Sequence, residues 1–109
     1  MSAQLLDFSQ KARAVHLKRH EYDVRIDRRT RWGNPEPMAN QSDRERDRVI
    51  AVYRDYLWDQ IKKGKVTLED LAALHGKRLG CHCAPKACHG DVLANAAQWA
   101  YAKLYLGAA

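Results

Sequence analysis

Cysteine, proline and long apolar runs are all scarce in this sequence of 109 residues. The 3 cysteines lie together, between Cys81 and Cys88. Three thiols cannot all pair with one another, so a disulfide-stapled scaffold is not expected and a cytoplasmic, reducing location fits better. No apolar run approaches the roughly 18 residues of a transmembrane helix, so we expect no membrane partner. Residues 1–14 lack the apolar core of a secretory signal, and none is expected.

The composition is typical of one globular domain. Hydrophobic residues make up 46% of the chain, which argues against global disorder. A chain of this length can bury a core without disulfides or metals, which are needed mainly below about 40 residues. We predict a polar N-terminal leader over residues 1–13, with one helical turn around Leu5, Leu6 and Phe8. A single domain is predicted over residues 14–109.

Positive charge is concentrated in one segment of the chain. The formal net charge is +6, and residues 11–31 hold eight basic side chains against three acidic ones. A localised basic surface attracts phosphates, nucleic acid or anionic membranes through long-range steering. A solvated face without any ligand is the alternative, and composition alone leaves both interpretations open.

Three strands are predicted. Two short β-prone runs, 14–17 and 22–26, open the domain. Only four residues separate them, and a parallel crossover needs a dozen or more, so a direct pairing of these runs predicts a hairpin. The third strand is predicted over 77–83, where Cys81 is expected to be a small core residue.

Helical spacing and capping residues predict three helices. Ser42 precedes Glu45 by three residues, as in a capping box, and begins a helix over 43–63 that ends at Gly64. Thr67 and Asp70 begin a second helix over 67–75 in the same way. A third helix over about 88–105 is expected to bury its apolar side chains, namely Val92, Leu93, Ala96, Trp99, Ala100 and Leu104. This order of elements predicts a small α/β domain, with a short sheet of about three or more strands packed by helices.

The densest group of reactive side chains runs from Cys81 to Asp91, and one hypothesis for it is a zinc site. Thiolates and imidazole are suitable ligands for a structural tetrahedral site. Common zinc modules, however, use two separated pairs of ligands, and this chain has Cys-x-Cys followed by an adjacent Cys-His. The four candidate zinc ligands are Cys81, Cys83, Cys88 and His89.

A second hypothesis for the same run is an anion site. Cys88 is predicted to begin the last helix, where backbone amides and the helix dipole favour a phosphate close to Gly90. The same position lowers the pKa of a thiol, so a nucleophilic Cys88 is an alternative. His89 and Asp91 are candidate acids or bases, although an Asp suits the first turn of any helix.

A second candidate surface follows the two N-terminal strands. Arginine forks match phosphates, and an aromatic ring beside them can stack a base. Trp32 with Asn34 is such a platform, and a Trp closing over the core beneath a proline-rich loop is the alternative. The arginines assigned to this surface are Arg19, Arg28 and Arg31.

Several motifs stand in a familiar order and resemble the phage and bacterial family called domain of unknown function 4326. They are Arg19-His20-x-Tyr22-Asp23-Val24, Trp32-Gly33-Asn34-Pro35, Tyr53-Arg54-x-Tyr56-Leu57 and Gly76-Lys77-Arg78-Leu79-Gly80-Cys81-x-Cys83-x-Pro85-Lys86-x-Cys88-His89-Gly90-Asp91-x-Leu93-Ala94. The resemblance covers roughly residues 14–97. It implies a small α/β fold and a site joining the loop 32–35 to the helix start 88–91, without an established activity. The sequence departs from the family pattern at His82 and Asp27.

Together these observations predict a protein that binds a phosphate-bearing ligand, either a nucleotide or a nucleic-acid end, without a cofactor. The helix start 88–91 would hold the anion, the three arginines would supply charge, and Trp32 and Asn34 would contact a base or sugar. Any reaction is expected to be hydrolysis or transfer at a nucleotide, with His89, Asp91 or Cys88 as the catalytic group. The alternatives are a zinc-stabilised nucleic-acid-binding module without catalysis and a phage protein that docks on a host protein.

Overall fold

The computed structural model describes residues 11–83 and 86–107. Its elements in chain order are β1 (Arg13–His16), β2 (Val24–Arg25), α1 (Asp43–Lys62), α2 (Leu68–Ala72), β3 (Arg78–Cys81) and α3 (His89–Tyr105). The predicted α/β architecture of a small three-stranded sheet with three helices is therefore confirmed.

The described part of the chain begins inside the segment predicted as a leader. Ala12 is buried in the core and the exposed Arg13 begins β1, so the folded domain already includes these two residues. The helical turn predicted around Leu5, Leu6 and Phe8 lies outside the described residues.

All three strands run parallel, in the order β1-β3-β2. Arg13 is aligned with Arg78 on one side of β3, and Val24 is aligned with Leu79 on the other. The hairpin predicted from a direct pairing of the first two runs is wrong, because β3 lies between them. Leu79 and Cys81 are almost fully buried, and such an apolar strand is most stable at the centre of a sheet, where both of its edges are paired.

The parallel arrangement brings three loops to one edge of the sheet. The carboxyl ends of β1, β2 and β3 lead into the segments that begin at Leu17, Ile26 and His82. In open α/β sheets this edge is where ligands usually bind. The segments after β2 and β3 are therefore neighbours, although more than 50 residues separate Asp27 from His82 in the sequence.

Helix α1 follows its predicted bounds and its predicted cap. The Ser42 hydroxyl accepts a hydrogen bond from the Glu45 amide at 3.2 Å, and Gly64 ends the helix region with a φ of 77°. The Glu45 carboxylate does not reach back to Ser42 but accepts from the Ala39 amide at 2.7 Å. The buried residues of α1 share one face at helical spacing: Arg46, Val49, Tyr53 and Leu57.

The two remaining helices also form close to where the sequence predicts them. Thr67 and Asp70 make the complete capping box of α2, which is shorter than predicted and continues in turns to Gly76.

Of the side chains predicted to be buried in α3, Leu93 and Ala100 are fully buried, whereas the other four are only partly buried: Val92, Ala96, Trp99 and Leu104. The remaining buried positions of α3 are small residues, and Gly90 lies directly against Ile26 and Ala14 of the sheet layer. None of the helices in the described ranges is both long and apolar enough to cross a bilayer.

Candidate functional site

A cleft of about 330 Å³ opens at the carboxyl edge of the sheet. Four parts of the chain meet there: the loop after β2, the segment after β3, the start of α3 and the first half of α1. The lining residues used below are Asp27, Arg28, Arg29, Asn34, Arg46, Cys83 and His89. From the two segments that the family resemblance joins, the loop 32–35 and the helix start 88–91, Asn34, Cys88 and His89 line this cleft.

Arg46 is a buried cation in the wall of this cleft. Only 6% of the residue is exposed, and no carboxylate in the described ranges forms an ion pair with it. Its Nη1 donates a long hydrogen bond of 3.4 Å to the Ala87 carbonyl, and its Nε has no hydrogen-bond partner among the described residues. A buried guanidinium with an unfilled donor is costly unless an acceptor reaches it.

Arg46 is absent from the residues that the sequence predicts for the site. A signal was present, because Arg46 precedes Val49 by three residues and Tyr53 by seven, which places it on the apolar face of α1. A charged residue on a buried helix face is uncommon, and it is the kind of departure from a simple pattern that marks functional sites.

The carboxylates near the cleft are each neutralised by another arginine. Asp27 accepts from Arg25 Nε at 2.9 Å and from Arg25 Nη2 at 2.8 Å, and Glu36 forms an ion pair with Arg48 at 2.8 Å. The side chains of Arg28 and Arg29 are exposed at the cleft and form no ion pair within the described part of the chain. The cleft therefore carries an excess of positive charge.

Asp27 fixes the start of the loop that carries Arg28 and Arg29. Besides Arg25, its carboxylate accepts from His82 Nε2 at 3.2 Å and from the Arg29 amide at 3.3 Å. The bidentate bond with Arg25 lowers the pKa of Asp27 from 3.8 to about 2, and His82 acts in the same direction. Asp27 and His82, the two positions that depart from the family pattern, are thus in direct contact.

His89, a predicted catalytic residue, is half-buried at the start of α3. Its Nε2 lies 2.6 Å from the carbonyl oxygen of Ile26, and its ring makes an edge contact with Tyr53 at 5.0 Å. A carbonyl accepts, so Nε2 carries the proton and Nδ1 is the ring's acceptor. Burial lowers the pKa of His89 below 6.5, so the imidazole is neutral at physiological pH.

Cys88 and Asp91, the other predicted catalytic residues, cap α3. Cys88 Sγ accepts from the Gly90 amide at 3.2 Å, and Asp91 Oδ2 accepts from the Cys88 amide at 3.1 Å. These contacts occupy two of the helix-start amides that the anion hypothesis assigned to a phosphate. A Cβ on Gly90 would lie 2.9 Å from Ile26 Cδ1, so the glycine permits the close packing of α3 on the sheet.

The three cysteines come together beside the cleft. Cys81 and Cys88 are buried, with their Sγ atoms 3.3 Å apart, and Cys83 is half-buried. A hydrogen bond from Cys88 and, more weakly, the Arg46 guanidinium lower the pKa of Cys83 to about 6. Hydrogen bonds with the Cys81 and Cys83 thiols, together with burial, raise the pKa of Cys88 far above its usual value. Cys83 is therefore the thiol of the group that ionises first.

The four residues proposed as zinc ligands do not converge on one point. His89 donates to the Ile26 carbonyl instead of facing the three thiols. In residues 11–83 and 86–107, no group of three or more His, Cys, Asp or Glu side chains is arranged to hold a metal ion.

The loop 32–35 divides its residues between two places. Asn34 is buried at the cleft, where Nδ2 donates to the Val49 carbonyl at 2.8 Å and Oδ1 accepts from the Glu36 amide at 3.0 Å. Trp32, only 8% exposed, packs in the core and lines a separate cavity of about 200 Å³. The Trp32 carbonyl accepts from the Tyr53 hydroxyl at 2.8 Å, which ties the loop to α1.

Two of the predicted ligand-binding arginines lie outside the cleft. Arg31 stacks on Trp32, 4.9 Å from the ring centre, and donates to the Lys65 carbonyl at 2.8 Å. Arg19 is exposed in the turn after β1, where its amide donates to the His16 carbonyl. Of the three, Arg28 alone lines the cleft.

These features define a small parallel α/β protein with a cationic cleft at the carboxyl edge of its sheet. The chain belongs to the family described as domain of unknown function DUF4326, whose model matches residues 9–99. It is 37% identical over 83 residues to an uncharacterised 12.4 kDa protein in the nrdA-td intergenic region of enterobacteria phage T4. That match covers 76% of this chain and 74% of the phage protein. No solved structure matches the chain. The family predicted from the motifs is confirmed.

Proposed function

We propose that the cleft binds a phosphate-bearing ligand, with a nucleotide or the phosphorylated end of a nucleic acid as its class. The observation that carries this proposal is Arg46, a buried guanidinium in the wall of the cleft whose Nε has no hydrogen-bond partner among the described residues. Guanidinium groups bind phosphate oxygens through short, charge-assisted hydrogen bonds. A phosphate beside this guanidinium would offset the cost of the buried charge.

The other walls of the cleft fit the remainder of such a ligand. Arg28 and Arg29 stand at the opening and would meet further phosphates, while Val49 and Ile50 provide an apolar wall for a base or sugar. The volume of about 330 Å³ lies at the lower end of the range of about 300–1,000 Å³ seen for small-molecule sites. It suits one nucleotide unit better than a longer strand.

A hydrolytic or transfer reaction at the bound nucleotide would use His89. Its neutral imidazole lines the cleft and keeps Nδ1 as an acceptor for a proton. Cys88 and Asp91 are less suited to this role, because the Cys88 thiol is buried with a raised pKa and the Asp91 carboxylate caps α3.

Calorimetric titration tests the binding proposal. The protein is titrated with nucleoside mono-, di- and triphosphates and with oligonucleotides that carry or lack a 5′ phosphate. We expect binding that requires the phosphate and that weakens about 10- to 100-fold in Arg46→Met, since a hydrogen bond to a charged group contributes about 1.5–3 kcal/mol. Arg28→Ala should weaken binding as well, and it keeps the test informative if Arg46→Met does not fold.

Arg44→Ala is the matched control, because Arg44 is exposed on α1 and does not line the cleft. The control should bind as the unmodified protein does. Absence of binding at millimolar ligand, or an affinity equal to that of the unmodified protein in both Arg28→Ala and Arg46→Met, would overturn the proposal.

Zinc binding by Cys81, Cys83, Cys88 and His89, in a nucleic-acid-binding module without catalysis, is the competing proposal. The distance of 3.3 Å between the Cys81 and Cys88 sulfur atoms supports it, whereas no three of these ligands surround one point in the described residues. Zinc binding requires about one zinc per chain by elemental analysis and a large loss of melting temperature with a chelator. Metal-free protein with an unchanged melting curve would remove it and leave the phosphate proposal standing.

A further inference from the structure

Cys88 is in contact with both of the other cysteine thiols. Its Sγ atom lies 3.3 Å from Cys81 Sγ, and its thiol also forms a hydrogen bond with Cys83. The two sulfur atoms of a disulfide are about 2 Å apart. A movement of little more than about 1 Å would therefore bring the Cys81 and Cys88 sulfur atoms to bonding distance.

The three thiols differ in their access to solvent. Cys81 and Cys88 are only 1% and 2% exposed, whereas Cys83 is half-buried and lines the cationic cleft. The Arg46 guanidinium, in the wall of the same cleft, forms a hydrogen bond with Cys83 and favours its thiolate, the form that reacts with oxidants. A small oxidant that enters the cleft therefore meets Cys83 before the other two thiols.

We propose that the three cysteines form a redox site for small hydroperoxides, in which Cys83 is oxidised first and the oxidation ends as a disulfide between Cys81 and Cys88. An accessible thiol next to a second thiol that can resolve its oxidised form is the usual arrangement of such sites. The third thiol, Cys81, provides a buried position in which the disulfide is kept away from solvent.

The first step consumes the hydroperoxide. The Cys83 thiolate attacks one peroxide oxygen, and the S–O bond forms as the O–O bond breaks. For hydrogen peroxide, the leaving hydroxide takes a proton from solvent and becomes water. The sulfur loses two electrons to the peroxide, and Cys83 becomes a sulfenic acid.

Two further steps transfer the oxidation to the buried pair. The Cys88 sulfur attacks the Cys83 sulfur, an S–S bond forms, and the hydroxyl group leaves with the Cys88 proton as water. The Cys81 sulfur then attacks Cys88, its proton returns to solvent, and Cys83 leaves as a thiolate. Arg46 favours this last exchange, because it stabilises the negative charge on the leaving sulfur.

Oxidation of the freshly reduced full chain with one equivalent of hydrogen peroxide tests this proposal. Remaining thiols are then blocked with N-ethylmaleimide, and the protein is digested with trypsin. We expect a product of one chain in which a disulfide joins residues 79–86 to residues 87–103. Fragmentation of this product should place the maleimide on Cys83, which leaves Cys81 and Cys88 as the bonded pair.

Three serine variants separate the steps. Cys83→Ser should slow disulfide formation at least about 10-fold, because the accessible thiol is missing. Cys88→Ser should stop at the sulfenic acid of Cys83, which dimedone traps, and serine is a suitable N-cap for α3. Cys81→Ser should stop at a disulfide between Cys83 and Cys88. The mapping of the unmodified protein decides the outcome if a serine variant does not fold.

Ala87→Ser is the matched control, because Ala87 is an exposed neighbour of Cys88 and its replacement removes no thiol. It should be oxidised at the rate of the unmodified protein. A final disulfide that includes Cys83, a disulfide between two chains, or an oxidised Cys83 beside two free thiols would overturn the proposal. Equal rates in Cys83→Ser and Ala87→Ser would do the same. The oxidation requires no bound phosphate, so its failure would leave the phosphate proposal standing.

Discussion

His89 and Ile26 join the start of α3 to the end of β2, with Nε2 of the imidazole 2.6 Å from the Ile26 carbonyl oxygen. The two residues are 63 positions apart in the sequence, and this bond lies at the edge of the sheet where the cationic cleft opens. The bond gives the Ile26 carbonyl a hydrogen-bond donor just beyond the end of β2. It also fixes the tautomer of the His89 ring. The same contact therefore serves both the packing of α3 and the chemistry available in the cleft.

Acidification should destabilise the protein through His89. Burial lowers the pKa of His89 in the folded protein below 6.5, so the unfolded chain binds the proton more readily. The contribution of His89 to the free energy of unfolding is therefore fully present above about pH 6.5. It is lost as the pH falls from 6.5 through the lower pKa of His89 in the folded protein. Urea unfolding between pH 5 and pH 8 should show a shallower decline in His89→Gln than in the unmodified protein.

His20→Gln is the control for this measurement, because the side chain of His20 is exposed. His20→Gln should lose as much stability on acidification as the unmodified protein does. His75 is also half-buried and burial also lowers its pKa, so part of the loss of stability on acidification should persist in His89→Gln. An identical decline in His89→Gln and His20→Gln would contradict the prediction.

Asp27→Asn should destabilise the loop at the mouth of the cleft. The substitution weakens the bidentate bond with Arg25 and the contact with His82, and we expect a loss of about 1–3 kcal/mol in the free energy of unfolding at pH 7. The folded pKa of Asp27 is about 2 against 3.8 ordinarily, so its contribution is present above about pH 4 and is lost as the pH falls through 2. Unfolding by urea across this range measures both effects.

The exposed Asp47 on α1 offers a control for this variant. Asp47→Asn should leave the stability within about 0.5 kcal/mol of the unmodified protein, as for most surface substitutions. Equal stability of Asp27→Asn and Asp47→Asn would show that Asp27 does not hold the loop.

Cys83 should be the first cysteine to react with iodoacetamide. Its pKa of about 6 makes it mostly thiolate at pH 7, whereas Cys81 and Cys88 are buried. Peptide mass spectrometry should find alkylated Cys83 before the other two, with a rate that reaches half its maximum near pH 6. Cys83→Ser should remove the fast phase.

The same reaction reports on occupancy of the cleft. A bound phosphate would compete for Arg46, which helps to lower the pKa of Cys83, and would cover the thiol. Saturating nucleotide should therefore slow the alkylation of Cys83. A fast phase that persists in Cys83→Ser, or reaction of Cys88 first, would exclude this account of the thiols.

Gly33→Ala should be more damaging than Gly64→Ala. A Cβ at Gly33 would lie 2.5 Å from both Arg28 Cα and the Asp27 carbonyl oxygen, so the backbone of the cleft loop must move. We expect a loss of about 3 kcal/mol, toward the upper end of overpacking effects. Gly64 has open space around it and a φ of +77°, so its replacement should cost only about 1 kcal/mol.

Thermal and urea unfolding compare the two glycine variants. Ligand affinity should fall in Gly33→Ala as well, because Arg28 belongs to the displaced loop, and it should be unchanged in Gly64→Ala. Similar losses of stability in both variants would contradict the tight packing of Gly33 against the loop.

The amino-acid sequence by itself determined the helices, the class of fold and the family. Capping pairs such as Ser42 with Glu45 and Thr67 with Asp70 act across three residues, and the spacing of Val49, Tyr53 and Leu57 acts across one or two turns. Such interactions are local, so they can be recognised without a three-dimensional structure. The same is true of the motifs that carry the family resemblance.

Only the tertiary structure decided the order of the strands and the content of the cleft. Strands of two to four residues carry little local information, and the insertion of β3 between β1 and β2 depends on contacts across more than 50 residues. The direction in which Arg46, Asn34 and Trp32 point follows from that packing, which directs Arg46 and Asn34 to the cleft and Trp32 to the core. The sequence indicated the types of residue that form the site. Which of these residues lie together depends on contacts between distant parts of the chain.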